Sequence, residues 1–124
     1  MPDSSFDCNG TRILACAPDG KKLRTDRDAV EVINRALELR ARVVVVPVER
    51  FDEDFFRLRT RIAGEIVQKF VQYRRRLVIA GDISTYVAAS SAFAAFVAEA
   101  NRGEDIWFVA DLAELDSRMA HLPL

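Results

Sequence analysis

Two apolar runs, Val43 to Val46 and Leu77 to Ala80, joined through one amphipathic stretch, limit this chain to a fold built on a parallel sheet. The first run is β-branched throughout. It offers no polar face to water and needs apolar cover on both sides, as a central strand does. Pro47 ends it. Between the runs, Ile62, Ala63, Ile66, Val67, Phe70 and Val71 recur at helical spacing from about Thr60 to Tyr73, with Glu65, Gln68, Lys69 and Gln72 on the opposite side. Strand, helix and strand in that order require a crossover, and crossovers join parallel neighbours.

The flanking segments extend the pattern. Ile13 to Ala17 reads as a short strand, Ala17-Pro18-Asp19-Gly20 as a turn, and Lys21 to Arg24 as the return strand of a hairpin. Thr25 is placed to cap a helix opening at Asp26, with Asp28 standing in for the capping-box glutamate. In that helix Val30, Ile33 and Leu37 face inward with Ala29 and Ala36. Glu31 with Arg35, and Glu38 with Arg42, form exposed pairs four apart. Phe55, Phe56 and Leu58 follow the acidic turn at Asp52 to Asp54 and close one end of the core. A third helical stretch runs from Tyr86 or Ser90 to Asn101, carries Phe93, Phe96 and Val97 inward and stops at Gly103. Ile106 to Val109 is the last strand, and Asp111 caps a final helix ending at His121. The expected fold is α/β, with a mainly parallel sheet, an N-terminal hairpin and helices on the sheet faces. Residues 1–10 are polar and aperiodic and read as a flexible N-terminal tail. Residues 11–124 read as a single α/β domain, within the size one core can serve.

Charge narrows the function classes. Lysine and arginine total 18 against 19 acidic residues, for a formal net charge of -1, so no global field steers the chain toward nucleic acid or a membrane surface. No apolar run approaches the roughly 20 residues that span a bilayer, and the start MPDSSFDCNG lacks a signal-peptide pattern, so a soluble cytoplasmic protein is expected. Cys8 and Cys16 are too few for a zinc box or a redox pair, and Cys16, inside an apolar run, reads as a small buried hydrophobe. His121 is the only histidine. No metal site and no cofactor are expected.

The stretches FFRLRTRIAGEIVQKFVQYR, GDIS and EANRGEDIWFV, in that order and spacing, resemble a bacterial family known as domain of unknown function 4180, over roughly residues 12 to 120. The resemblance rests on Phe55-Phe56-x-Leu58, Ala63-Gly64-Glu65, Gln68-Lys69-Phe70 and Asn101-Arg102-Gly103. The chain departs from the family pattern at Arg61, where a glycine is usual, and at Gln72, where an asparagine is usual. A weaker similarity, in the order of elements alone, is to STAS domains, the sulfate-transporter and anti-sigma-antagonist module. There a phosphorylatable serine would fall near Thr60, here without the acidic neighbour of that motif. Such a resemblance implies a fold more than an activity.

Candidate site residues follow from position. Glu49, Asp82 and Asp111 each succeed an expected strand, so a parallel sheet would deliver them to one rim, where an acid or base would sit and where aspartate also commonly holds loops and caps helices. Arg57, Arg59 and Arg61 surround Thr60 at the start of the second long helix, where free N–H groups favour a small anion. Glu65 and Lys69 form a further pair four apart. Gly64 within a strong helix points to close approach of another backbone, inside the domain or across a homodimer, with Gln68 beside it. The leading expectation is a non-enzymatic protein-interaction or regulatory module, self-associating or docked on a protein partner. The alternative is a small-molecule or anion-binding protein or enzyme using Glu49, Arg59, Thr60, Glu65, Asp82 and Asp111.

Overall fold

Asn9 and Gly10 set the first corner of the sheet. Both take positive φ, 50° and 82°, as the two central residues of a type I′ turn must. They fold β1 (Ser4–Cys8) antiparallel onto β2 (Thr11–Ala15), with Cys8 opposite Thr11 and Ser4 opposite Ala15. Residues 4–8 therefore belong to the sheet and are not a loose tail. The hairpin precedes Cys16 instead of following it, and the return strand expected at Lys21 to Arg24 is a loop. A side chain claims that loop's carbonyls: Arg50 Nε donates to the Lys21 carbonyl at 2.6 Å and Nη1 to the Ala17 carbonyl at 2.9 Å. The Leu23 N–H donates in turn to the Arg50 carbonyl at 2.8 Å.

The computed structural model describes residues 3–120. After the hairpin come α1 (Asp26–Glu38), β3 (Val43–Pro47), three 3₁₀ turns at Val48–Arg50, Glu53–Phe56 and Leu58–Thr60, then α2 (Ile62–Gln72) and β4 (Arg76–Ala80). The chain continues through α3 (Ser84–Ala89), α4 (Ser91–Arg102), β5 (Ile106–Val109) and α5 (Leu112–Ala120). The expected helix end at His121 lies outside the described residues. The strands stand in chain order, and β2 to β5 are parallel. Repeating one hand of crossover in one direction keeps the crossover helices on a single face. There Leu14, Val44, Val46, Leu77, Ile79 and Phe108 pack against Ile33 of α1, Ile66 and Phe70 of α2 and Phe93 of α4. The alternate residues Ile13, Val43, Val45, Val78, Trp107 and Val109 face the other way, under Leu115 and Met119 of α5. Val43 to Val46 is thus covered on both faces, as its composition demands, and each fully buried valine contributes about 1.5–3 kcal/mol.

Local chemistry fixes the helix ends. Thr25 Oγ1 accepts the Asp28 N–H, and the Asp28 carboxylate accepts the Thr25 and Arg24 N–H groups, a complete capping box. Burial alone would push the Asp28 carboxyl up. The Arg24 N–H, the Lys21 ammonium and the Thr25 N–H outweigh it and hold the group below the usual carboxylate range. The inner stripe of α1 is Ala29, Ile33 and Ala36, whereas Leu37 is exposed. Partners from other segments displace the expected Glu31–Arg35 pair: Glu31 meets Lys21 at 3.5 Å and Arg35 meets Asp3 at 3.3 Å. The third helical stretch is broken at Ser90, whose extended backbone ends α3 and whose hydroxyl accepts the Phe93 N–H to cap α4. Gly103 ends α4 in extended backbone, not in a left-handed stop. Beside it, the Asn101 side-chain oxygen accepts the Phe108 N–H at 2.8 Å on the open edge of β5, and the Asn101 carbonyl accepts from Arg118 of α5.

Candidate functional site

Because β3, β4 and β5 are parallel, Glu49, Asp82 and Asp111 leave the sheet by the same edge. Strands in chain order never reverse their winding, however, so no crevice opens between diverging loops as it does at the switch point of other open α/β sheets. A cleft on this edge has to be built by a connection. Residues 48–60 build it.

Their three 3₁₀ turns are pinned from inside and outside. Phe51, Phe55 and Phe56 are buried, with Phe51 and Phe55 ring centroids 4.2 Å apart and Phe55 edge-on to Phe56 at 5.2 Å. On the outside, Thr60 Oγ1 lies 2.6 Å from the Asp54 carbonyl and 2.8 Å from the Arg57 carbonyl. The turns lean on α3, where Phe56 and Tyr86 stack with centroids 4.0 Å apart and planes 9° apart. Between the turns and the α3–α4 junction lies a cleft of about 600 Å³, walled by Phe56, Leu58, Tyr86, Ala89 and Ala92 and edged by Glu53, Arg57, Arg59, Thr85 and Ser90. Arg57 is bound to Glu53 at 3.3 Å. Arg59 makes no ion pair among the described residues.

Of the residues singled out from sequence, Arg59 lines this cleft and Thr60 spends its hydroxyl holding the cleft's wall. The others do not gather there. Asp82 borders a separate hollow with Ile83, Val87 and Phe108, and its carboxylate accepts the Ser84 N–H at 2.9 Å. The Ser84 side chain and that N–H hold the carboxyl below its ordinary range. Asp111 accepts the Glu114 N–H at 2.9 Å, as a helix cap does. Glu49 and Glu65 are exposed and line no cleft with Arg59, and Glu65 and Lys69 form no salt bridge. Gly64 is the third residue of α2, not its middle, and a Cβ built there meets nothing within 4 Å, so no backbone among the described residues approaches it. Gln68 lies on the same exposed side of that helix.

Arg61 stands where the backbone itself favours a glycine. It precedes α2 with φ 65° and ψ 3°, left-handed backbone that glycine adopts freely and an L side chain adopts at about 1–2 kcal/mol. Cys16 is buried as expected, and desolvation pushes its thiol up to about 11. Among the described residues no group of His, Cys, Asp and Glu is placed to hold a metal ion, and no helix is long and apolar enough to cross a membrane. Sequence reasoning missed Tyr86, which no periodicity marks as the partner of Phe56. It also missed Arg50, an isolated arginine whose only sequence signal is its place just past a buried strand.

No curated protein and no solved structure matches the chain. One family model, described as "Domain of unknown function (DUF4180)", matches residues 8–119. That span takes in the sheet from the end of β1, the aromatic turns, Arg61 and the Asn101 tether of β5, and the chain belongs to the DUF4180 family.

Proposed function

We propose that this chain is a ligand-binding module whose cleft at the carboxyl edge of the sheet takes an organic anion with a flat apolar body. The observation that carries this is the pairing of a stacked Phe56–Tyr86 wall with the unpaired Arg59 guanidinium at the mouth. An apolar hollow with few convergent polar groups is the usual form of a small-molecule site, and arginine matches a carboxylate with two parallel donors. No histidine or cysteine lines the cleft, and its carboxylate, Glu53, is bound to Arg57. Binding fits these groups better than proton transfer. The test is ligand-observed NMR with 1-naphthoate and, as the neutral control, 1-naphthalenemethanol. The carboxylate should saturate, the alcohol should bind more weakly, and Arg59→Gln should weaken the carboxylate about tenfold. Equal binding of both probes, or an unchanged Arg59→Gln variant, removes the proposal.

Self-association is a second reading with its own observation. In a two-residue hairpin the residues flanking the turn exchange both hydrogen bonds, so Cys8, Phe6 and Ser4 turn their backbone groups to β2. Ser5 and Asp7 then turn theirs to the free edge, beside a Phe6 that is 39% exposed. Two copies paired antiparallel about Phe6 would set Ser5 opposite the partner's Asp7 and bring the phenyl rings together. Light scattering should show a dimer that Phe6→Lys splits; a monomer at every concentration rejects it.

A further inference from the structure

The opposite edge of the sheet gathers arginines. Helices α1 and α2 both end there, each turned back toward its next strand by a left-handed arginine, Arg40 at φ 58° and Arg74 at φ 55°. Strand pairing then aligns the residues beyond each turn. The register sets Ile13 beside Val43 and Val43 beside Arg76, so Arg12, Arg42 and Arg75 fall in line one residue earlier on neighbouring strands. The Arg42 N–H donates to the Arg12 carbonyl at 3.1 Å and the Arg76 N–H to the Arg42 carbonyl at 2.9 Å, which fixes the alignment. Adjacent strands lie only about 4.8 Å apart, and like charges directly opposite are destabilising.

Little offsets this charge from within. Arg12 is paired with Asp7 at 3.1 Å. Arg76 lies over the Trp107 ring at 4.2 Å and donates to the Glu104 carbonyl. Arg42, Arg74 and Arg75 make no ion pair among the described residues, and Arg75 Nε is buried without a hydrogen-bond acceptor. A buried donor left unmade costs about 1–3 kcal/mol and needs a reason. Two clefts meet at this point. One, of about 330 Å³, is lined by Arg42, Arg74, Arg75 and Arg76 with Thr11; the other, of about 500 Å³, by Arg12, Arg40 and Arg42 with Thr11. Asp7, Glu104 and Asp105 also border them. The arginines still outnumber the carboxylates by three, in a chain whose formal net charge is -1.

We infer that this edge is a binding site for a compound bearing linked phosphate groups, a diphosphate or short oligophosphate, with Arg42 and Thr11 shared between neighbouring phosphates. The Arg75 guanidinium, whose Nη1 rests on the Arg74 carbonyl at 3.1 Å, gains an acceptor for Nε by turning into the cleft onto a phosphate oxygen, and linked phosphates reach both clefts where a single one fills one. The surface is a compact row, lacking the stacked aromatic platforms that single-stranded nucleic acid uses.

Isothermal titration calorimetry at fixed ionic strength tests this with phosphate, pyrophosphate, tripolyphosphate and ADP. Pyrophosphate and tripolyphosphate should bind at least about tenfold more tightly than phosphate, and Arg42→Gln and Arg74→Gln should each weaken them about tenfold. Arg102→Gln, on α4 and paired with Glu99, should change nothing. ADP binding as tightly as pyrophosphate assigns the site to the diphosphate group itself, and tighter binding assigns it to a nucleotide; both uphold the inference. Phosphate binding as tightly as pyrophosphate overturns it, as does unchanged binding by folded Arg74→Gln, whose exposed side chain is not needed for the core. A single-stranded oligonucleotide that outcompetes tripolyphosphate would overturn it in favour of a nucleic-acid surface.

Discussion

Arg50→Ala should be among the most damaging single truncations outside the apolar core. The side chain is 7% exposed and is the only hydrogen-bond donor described for the Lys21 and Ala17 carbonyls, at 2.6 and 2.9 Å. A hydrogen bond made by a charged group contributes a net of about 1.5–3 kcal/mol, so two set a ceiling near 6 kcal/mol. The released loop recovers part of that by opening to water, and about 3 kcal/mol is the expected loss. At roughly 2.1 cal/mol/K per residue, 124 residues give an unfolding entropy near 0.26 kcal/mol/K, so the midpoint should fall by about 12 °C. Urea denaturation followed by far-UV circular dichroism measures the free energy directly. Arg50→Lys should lose about half as much, because an ammonium lacks the planar fork that reaches both carbonyls. Gly20→Ala should mimic part of the effect, since its Cβ would lie 2.6 Å from Arg50 Nη1. An Arg50→Ala variant within about 1 kcal/mol of the parent would mean that the guanidinium does not hold the loop.

Gly64→Ala should raise stability by about 0.5–1 kcal/mol, or about 2–4 °C, because the new methyl meets open space on a helix; a lower midpoint, or a change of mass in light scattering, would restore a close contact across a dimer. Arg61→Gly should relieve left-handed strain of about 1 kcal/mol and raise the midpoint, and a fall would show that the arginine side chain holds the turn. Asp28 titrates below its ordinary range in the fold, so its stabilisation is present above the unfolded value of 3.8 and is lost as pH falls through the lower folded one. Asp28→Asn should therefore cost stability at pH 7 and flatten the loss of stability below about pH 4, and a parallel acid limb in both proteins would refute the linkage.

The layers of this fold were legible because burial leaves a local trace. Val43 to Val46 and Leu77 to Ala80 can only be strands covered on both faces, and Thr25 with Asp28 marks a helix start within four residues. The hairpin was misplaced because two turn signals competed. Asn9-Gly10 carries the left-handed pair that strand twist demands, while Pro18 to Gly20 only permits a turn, and its surroundings were claimed by Arg50 from a distant segment. The Glu31–Arg35 pair failed for the same reason, since Asp3 and Lys21 reach α1 from outside its own sequence. Tertiary partners of this kind leave no mark on a window of eleven or so residues.

The two clefted edges differ in what makes them, and that difference separates their responses to perturbation. The arginine row follows from strand register, and register is fixed by the alternation that buries Ile13, Val43 and Val78 on one face and Leu14, Val44 and Leu77 on the other; a slip of one residue would invert both. In sequence Arg40 and Arg42, and Arg74 to Arg76, look like ordinary basic ends of two separate helices, and Arg12 like an isolated charge in a strand. The aromatic cleft depends instead on the irregular residues 48–60, whose first turn contains Arg50 and whose Phe51 packs on Phe55. Loosening Arg50 should therefore weaken naphthoate binding at the carboxyl edge by several-fold while leaving pyrophosphate binding at the arginine edge within about twofold, measured below the lowered midpoint. Equal losses at both edges would show that the sheet and the turns unfold as one unit, and that the arginine row is no more firmly held than the loop across from it.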